Sequence, residues 1–166
     1  TTSLLDIHYV SSNATVTQNS SGLNNQATFN ISFDVTGHIG DDLYIDKTCN
    51  AIPRDMPGMG TALATNQLSF TVEDGNGVIP QSLITSCSLT TTTDAVVFPK
   101  AYRVNDESTE RFTLTVVAKP STAGTYRMRI VGIGYNTASG DIEGNQVISN
   151  SAGALIDLRS QYVTIN

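Results

Sequence analysis

The sequence has no tryptophan, two cysteines, two histidines, and nine lysines and arginines against fifteen aspartates and glutamates. Each shortage excludes something. Phosphate backbones are bound by clustered Lys and Arg, so a formal net charge of -6 with scattered basic residues argues against a nucleic-acid partner. No apolar run approaches the roughly eighteen residues of a membrane span. The cysteines, Cys49 and Cys87, lack C-x-x-C spacing and a nearby histidine pair, which removes the usual zinc patterns. There is no G-x-S-x-G elbow, no glycine-rich phosphate loop and no aromatic platform with basic neighbours. His8 and His38 are the only imidazoles, and neither has a marked nucleophile or general-base partner, so no catalytic residue is assigned and the chain is expected not to be an enzyme. Charged residues are 14% of the chain, well below the usual quarter, with Thr, Ser, Asn and Gln in their place, a surface common outside cells.

What is present is alternation. In Ala27 to Val35, Phe29, Ile31, Phe33 and Val35 fall on one face while Thr28, Asn30, Ser32 and Asp34 fall on the other, the period-two pattern of a half-buried strand. Leu68, Phe70 and Val72 repeat the pattern, as do Phe112, Leu114 and Val116, and then Tyr126, Met128 and Ile130. Gln161 to Ile165 is rich in β-branched and aromatic residues. Leu5, Ile7 and Tyr9 form a similar comb, followed by a polar stretch from Ser11 to Gln26 with only Val16 and Leu23 as larger apolar residues. This predicts an N-terminal strand over 1–10, set off by a connector from the single domain that fills 11–166. Turn residues cluster at Gly37 to Asp42, Asp74 to Gly77, Lys119 to Gly124 and Asn136 to Gly144. Arg54 to Gly60 is a Pro, Gly and Met loop. No helical period and no long internal repeat is found, so short strands punctuated by turns point to a sandwich or barrel.

The two cysteines read most simply as one disulfide, worth roughly 3–4 kcal/mol on the chain-entropy model in an oxidising compartment, the alternative being two buried thiols. Asn13, Asn19 and Asn30 each open an Asn-x-Ser/Thr triplet and are candidate glycosylation sites, although such triplets also arise by chance in an Asn, Ser and Thr-rich chain. Asp41, Asp42 and Asp46, and separately Glu73, Asp74 and Asn76, are oxygen-rich clusters. Their spacing does not match an EF-hand and turn chemistry explains them, so no metal or other cofactor is assigned. The chain begins with Thr1, for which removal of a signal peptide is the simplest account.

The stretch Ser108 to Tyr135, STERFTLTVVAKPSTAGTYRMRIVGIGY, resembles the E strand, turn and F strand of immunoglobulin-like domains. Ala123, Gly124, Thr125 and Tyr126 stand where that family has its corner tyrosine. The stretch ATFNISFDVTGHIGDDLYI, from Ala27 to Ile45, looks like the B-strand region of immunoglobulin-like domains in bacterial secreted and surface proteins. Met128 occupies the place of the second antibody cysteine and there is no core tryptophan, so the disulfide is not the antibody one. The resemblance implies an all-β, immunoglobulin-like sandwich of antiparallel strands, secreted or at the cell surface, with Tyr126 tying the corner. The functional expectation is a structural subunit that self-associates into a homopolymer, a filament or pilus, with the strand carrying Leu5, Ile7 and Tyr9 donated to a neighbour. The alternatives are that Leu4 to Val10 is the first strand of its own sandwich, and that the domain is an adhesive module contacting glycans or a host surface.

Overall fold

The computed structural model describes residues 5–37, 40, 42–51, 67–74, 77–79, 81–93, 95–144, 146–149, 155 and 157–166. These form thirteen strands: β1 (Leu5–Gln18), β2 (Asn24–Gly37), β3 (Leu43–Asp46), β4 (Cys49–Ala51), β5 (Leu68–Asp74), β6 (Gly77–Val78), β7 (Ile84–Thr91), β8 (Val96–Val97), β9 (Ala101–Val104), β10 (Thr109–Ala118), β11 (Gly124–Asn136), β12 (Gln146–Ser149) and β13 (Val163–Ile165). No α-helix occurs among the described residues. One sheet has the order β1-β2-β10-β7, and the second is built around β11, running β4-β5-β11-β3-β9-β8 with β12 and β13 also on β11 and β6 on β5. Pairing between named strands is antiparallel except between β4 and β5.

The β2–β10 ladder shows why the sheets face each other. Cross-strand partners project to the same face, and the register sets Phe33 opposite Phe112, Ile31 opposite Leu114, Phe29 opposite Val116 and Ala27 opposite Ala118, all fully buried. The wet face is paired as carefully. Thr109 meets Thr36 at 2.6 Å, Ser32 meets Thr113 at 2.8 Å, and the Thr115 hydroxyl donates to Asn30 Oδ1 at 2.7 Å. Arg111 reaches Asp34 with two donors, at 2.8 and 3.2 Å. Each such rung is worth a few tenths of a kcal/mol to about 1 kcal/mol, and together they resist a one-residue slip. From the second sheet Leu43, Ile45, Phe70, Val72, Val104, Met128 and Ile130 close the core. The Tyr102 ring packs 5.5 Å from Phe112, and its hydroxyl donates to the Leu89 carbonyl across the sandwich. Met128, at the expected cysteine position, is a fully buried core residue.

The structure departs from the sequence reading at the N-terminus. The polar stretch after residue 10 is no connector: β1 continues to Gln18, residues 19–23 turn, and β2 starts at Asn24. The turn is held by Asn19, whose Oδ1 accepts from the amides of Ser21 and Leu23, with Gly22 at a φ of 77°. Residues 90–93 are four consecutive threonines. Thr90 and Thr91 belong to β7 and pair with Thr113 and Phe112.

Cys49 and Cys87 form a disulfide, joining β4 on the rim of one sheet to β7 on the rim of the other. The bridge closes the β4/β7 side of the sandwich over a sequence separation of 38. Replacing both cysteines by alanine should lower unfolding stability by about 3–4 kcal/mol in urea titration. A loss under about 1 kcal/mol would mean that the β4/β7 side holds without it.

Candidate functional site

With one side of the sandwich stapled, the opposite side is the one left open. There the long edge strand β1 lies beside the segment 157–161, which leads into β13. That segment alternates as a strand does: Asp157, Arg159 and Gln161 are exposed, while Leu158 and Ser160 are buried. It is fastened to β11 by Ile130 N donating to Leu158 O and Ser160 N donating to Met128 O, both 2.9 Å. The buried Ser160 hydroxyl accepts from Met128 N at 3.0 Å and donates to Gln161 O at 2.9 Å.

β1 carries a bulge at Val10, where the register on β2 shifts between Tyr9 and Ser11. Before it Ile7 and Tyr9 oppose Val35 and Phe33; after it Ser12, Ala14 and Val16 oppose Ile31, Phe29 and Ala27. All of these partners face the core, so the inner face of β1 reads Ile7, Tyr9, Ser12, Ala14, Val16. Ile7 and Ala14 pack against the core, but Tyr9 remains 43% exposed. Small and polar residues at these positions leave the mouth between the sheets open. The result is a shallow cleft of about 570 Å³ lined by His8, Tyr9, Ser12, Asp157, Arg159, Ser160 and Gln161. The Tyr9 hydroxyl donates to Ser12 Oγ at 3.0 Å, and no hydrogen bond joins His8 to Ser12 or Asp157, so these three do not form a relay. Of the cleft residues, the apolar comb of the sequence marks Tyr9 but not Ser12 or residues 157–161, whose alternation of Asp, Leu, Arg, Ser and Gln carries a single large apolar residue.

The remaining sequence-derived residues lie elsewhere. Leu5 and Ile7, like Tyr9 of the cleft, pair within their own chain, opposite Gly37, Val35 and, for Tyr9, Phe33 of β2. Tyr126 is 2% exposed, and its hydroxyl donates to the Thr122 carbonyl at 2.6 Å across the β10–β11 turn, where Gly124 has a φ of 157°. Asn13 is exposed on β1, Asn19 caps the β1–β2 turn, and Asn30 is half-buried with its Oδ1 engaged by Thr115. His38, Asp41, Asn76 and residues 54–60 lie outside the described residues.

The acidic residues have structural partners. Asp42 lies 3.9 Å from Arg103, and Glu73 bridges Arg127 at 2.9 Å and Arg129 at 3.6 Å. Among the described residues no three His, Cys, Asp or Glu side chains converge as a metal site. Asp46 is 1% exposed and accepts from the amides of Thr48 and Gly144, each at 2.8 Å, pinning residue 144 to β3. Burial raises its pKa above 3.8, Glu143 adds to the rise, and the two amides oppose it. The folded chain therefore takes up this proton before the unfolded chain does. The stability linked to it is complete below the unfolded value and is lost as pH rises through the raised folded value. Asp46→Asn should flatten that part of the pH dependence of the thermal midpoint; a variant with the parent's slope through the acid range would contradict the assignment.

No family model and no curated protein matches the sequence. Among solved structures, the KRT10-binding region domain of the pneumococcal serine-rich repeat protein PsrP aligns over 87% of this chain and 98% of its own, at 11% identity and a TM-score of 0.27.

Proposed function

We propose that this chain is a non-enzymatic, extracellular immunoglobulin-like sandwich that works by contact, associating with a second copy of itself through the edge of β1. The carrying observation is the edge itself. β1 runs for fourteen residues, and among the described residues no strand pairs with its outer side. Sheet edges are ordinarily blunted by lysine, proline, brevity or covering elements. β1 has neither Lys nor Pro, and from Ser11 to Gln18 it has no charge at all. The bulge at Val10 is its one interruption before the end of the strand.

The charge pattern suits a like partner. An antiparallel β1–β1 contact centred between Ser11 and Ser12 sets Asp6 opposite Thr17 and His8 opposite Thr15, so no like charges meet. Such a two-fold contact is closed and merges two four-stranded sheets into one of eight. The other rim of the same sheet is less available, because Cys87 is bridged to β4 and the Leu89 carbonyl accepts from Tyr102. Donation of β1 to a neighbour, the mode expected for a filament, would first have to strip it from β2, so edge addition is the cheaper route. The immunoglobulin-like reading is supported by the β1-β2-β10-β7 order and by Tyr126 bonding across the β10–β11 turn. The disulfide supports an oxidising, extracellular setting, and no helix among the described residues is long and apolar enough to cross a membrane.

Asn13 and Thr15 are exposed on β1, and lysines there would charge the proposed seam without touching the core. Sedimentation of the parent chain should give a concentration-dependent dimer. Asn13→Lys with Thr15→Lys should sediment as a monomer with an unchanged circular dichroism spectrum. A parent chain that stays monomeric at every concentration would refute the reading.

A further inference from the structure

We infer that the cleft between β1 and residues 157–161 is a carbohydrate-binding site for a neutral hexopyranose unit, built on the core-facing side chains of β1 rather than on the outward backbone groups of its edge.

The volume, about 570 Å³, falls within the roughly 300–1,000 Å³ of small-molecule sites, but the lining differs from theirs in being mostly polar. Among the described lining residues the one large apolar surface is the Tyr9 ring, so a greasy ligand would find little to bury against. A polyanion is equally ill-served, because Arg159 is accompanied by Asp157 and the whole chain carries a net charge of -6. One carboxylate and one imidazole are too few for a metal ion. An extended peptide adding to β1 would use the outward backbone groups of the edge. The cleft instead exposes Tyr9 and Ser12, which lie on the inner face opposite Phe33 and Ile31.

A neutral ring bearing many hydroxyls suits what remains. Each sugar hydroxyl both donates and accepts, and neighbouring hydroxyls present paired sites that planar side chains meet with two atoms at once. Asp157 offers two acceptors, Arg159 a fork of donors, and Gln161 one of each. All three are exposed, and their side chains make no hydrogen bond or ion pair with any described residue, so their capacity is uncommitted. The C–H face of a pyranose needs an aromatic ring beside these groups, and Tyr9, a 43% exposed residue, lines the cleft.

Both walls are held before any ligand arrives. Tyr9 is oriented by its hydrogen bond to Ser12 and by the β1–β2 ladder. Residues 157–161 are fixed by the buried Leu158 and by the hydrogen bonds of Ser160 to β11. Binding therefore orders three exposed polar side chains and no backbone, which lowers its entropic cost.

The test is a nitrogen-15 correlation spectrum of the intact chain titrated with methyl glycosides of neutral and N-acetylated hexopyranoses. At least one glycoside should move the amides of residues 8–12 and 157–161 in a saturable way and leave the β8–β9 hairpin still. Tyr9→Ala and, separately, Gln161→Ala should weaken that binding about tenfold or more while leaving the thermal midpoint close to the parent's. The Asn13→Lys, Thr15→Lys chain should bind as the parent does, which separates this site from self-association. Absence of saturable shifts with every glycoside, shifts away from the cleft, unchanged affinity in both cleft variants, or a response only to extended peptides would each overturn the assignment.

Discussion

The register between β2 and β10 is the constraint on which the rest of the molecule depends. It aligns four buried pairs on one face and a column of hydroxyl, amide and charged pairs on the other, so a slip of one residue would misplace both sets at once. Every other feature is referenced to it. β1 inherits its inner and outer faces from β2, β7 inherits its faces from β10, and the short turn after Ala118 carries the chain from β10 across to β11 at the centre of the second sheet. Tyr102 then joins the layers through a hydroxyl-to-carbonyl bond to Leu89, and the Tyr126 hydroxyl ties β11 back to Thr122 of the turn that precedes it.

From this frame comes an asymmetry between the two sides of the sandwich. The Cys49–Cys87 bridge ties rim to rim on the β4/β7 side, and the Tyr102 hydroxyl fastens β9 to β7. On the β1 side no covalent tie exists among the described residues, and the inner positions Tyr9, Ser12 and Ala14 are too polar or too small to seal the gap. A covered rim contributes stability, whereas an uncovered one leaves backbone and side-chain groups able to meet other molecules. The edge and the cleft thus follow from one cause, an outer strand whose core-facing residues do not fill the core.

The strongly alternating strands were legible in the sequence because both of their faces are specified: Phe29 to Val35, Leu68 to Val72, Phe112 to Val116 and Tyr126 to Ile130 lie in β2, β5, β10 and β11. The second half of β1 was not, for a definite physical reason. A bulge at Val10 moves the core-facing positions from odd to even numbers, so Ile7 and Tyr9 are followed by Ser12, Ala14 and Val16, and an unbroken period-two template loses the strand. The short strands β3, β8, β9 and β12 have two to four residues each, too few for periodicity to register. The cleft was legible only through Tyr9. Its far wall depends on residues 157–161 being brought beside β1, a long-range contact that no local pattern announces.

The account is tested most directly by native-state hydrogen exchange resolved to single amides along β1 and β2. It predicts that the amides of Phe29 to Val35 exchange only through global unfolding, and that β1 shows alternate protection, slow where an amide faces β2 and fast where it faces outward, with the outward set slowing as the chain is concentrated. Uniformly fast exchange along residues 5–18 would contradict the account, because β1 would then not be held by its own sheet.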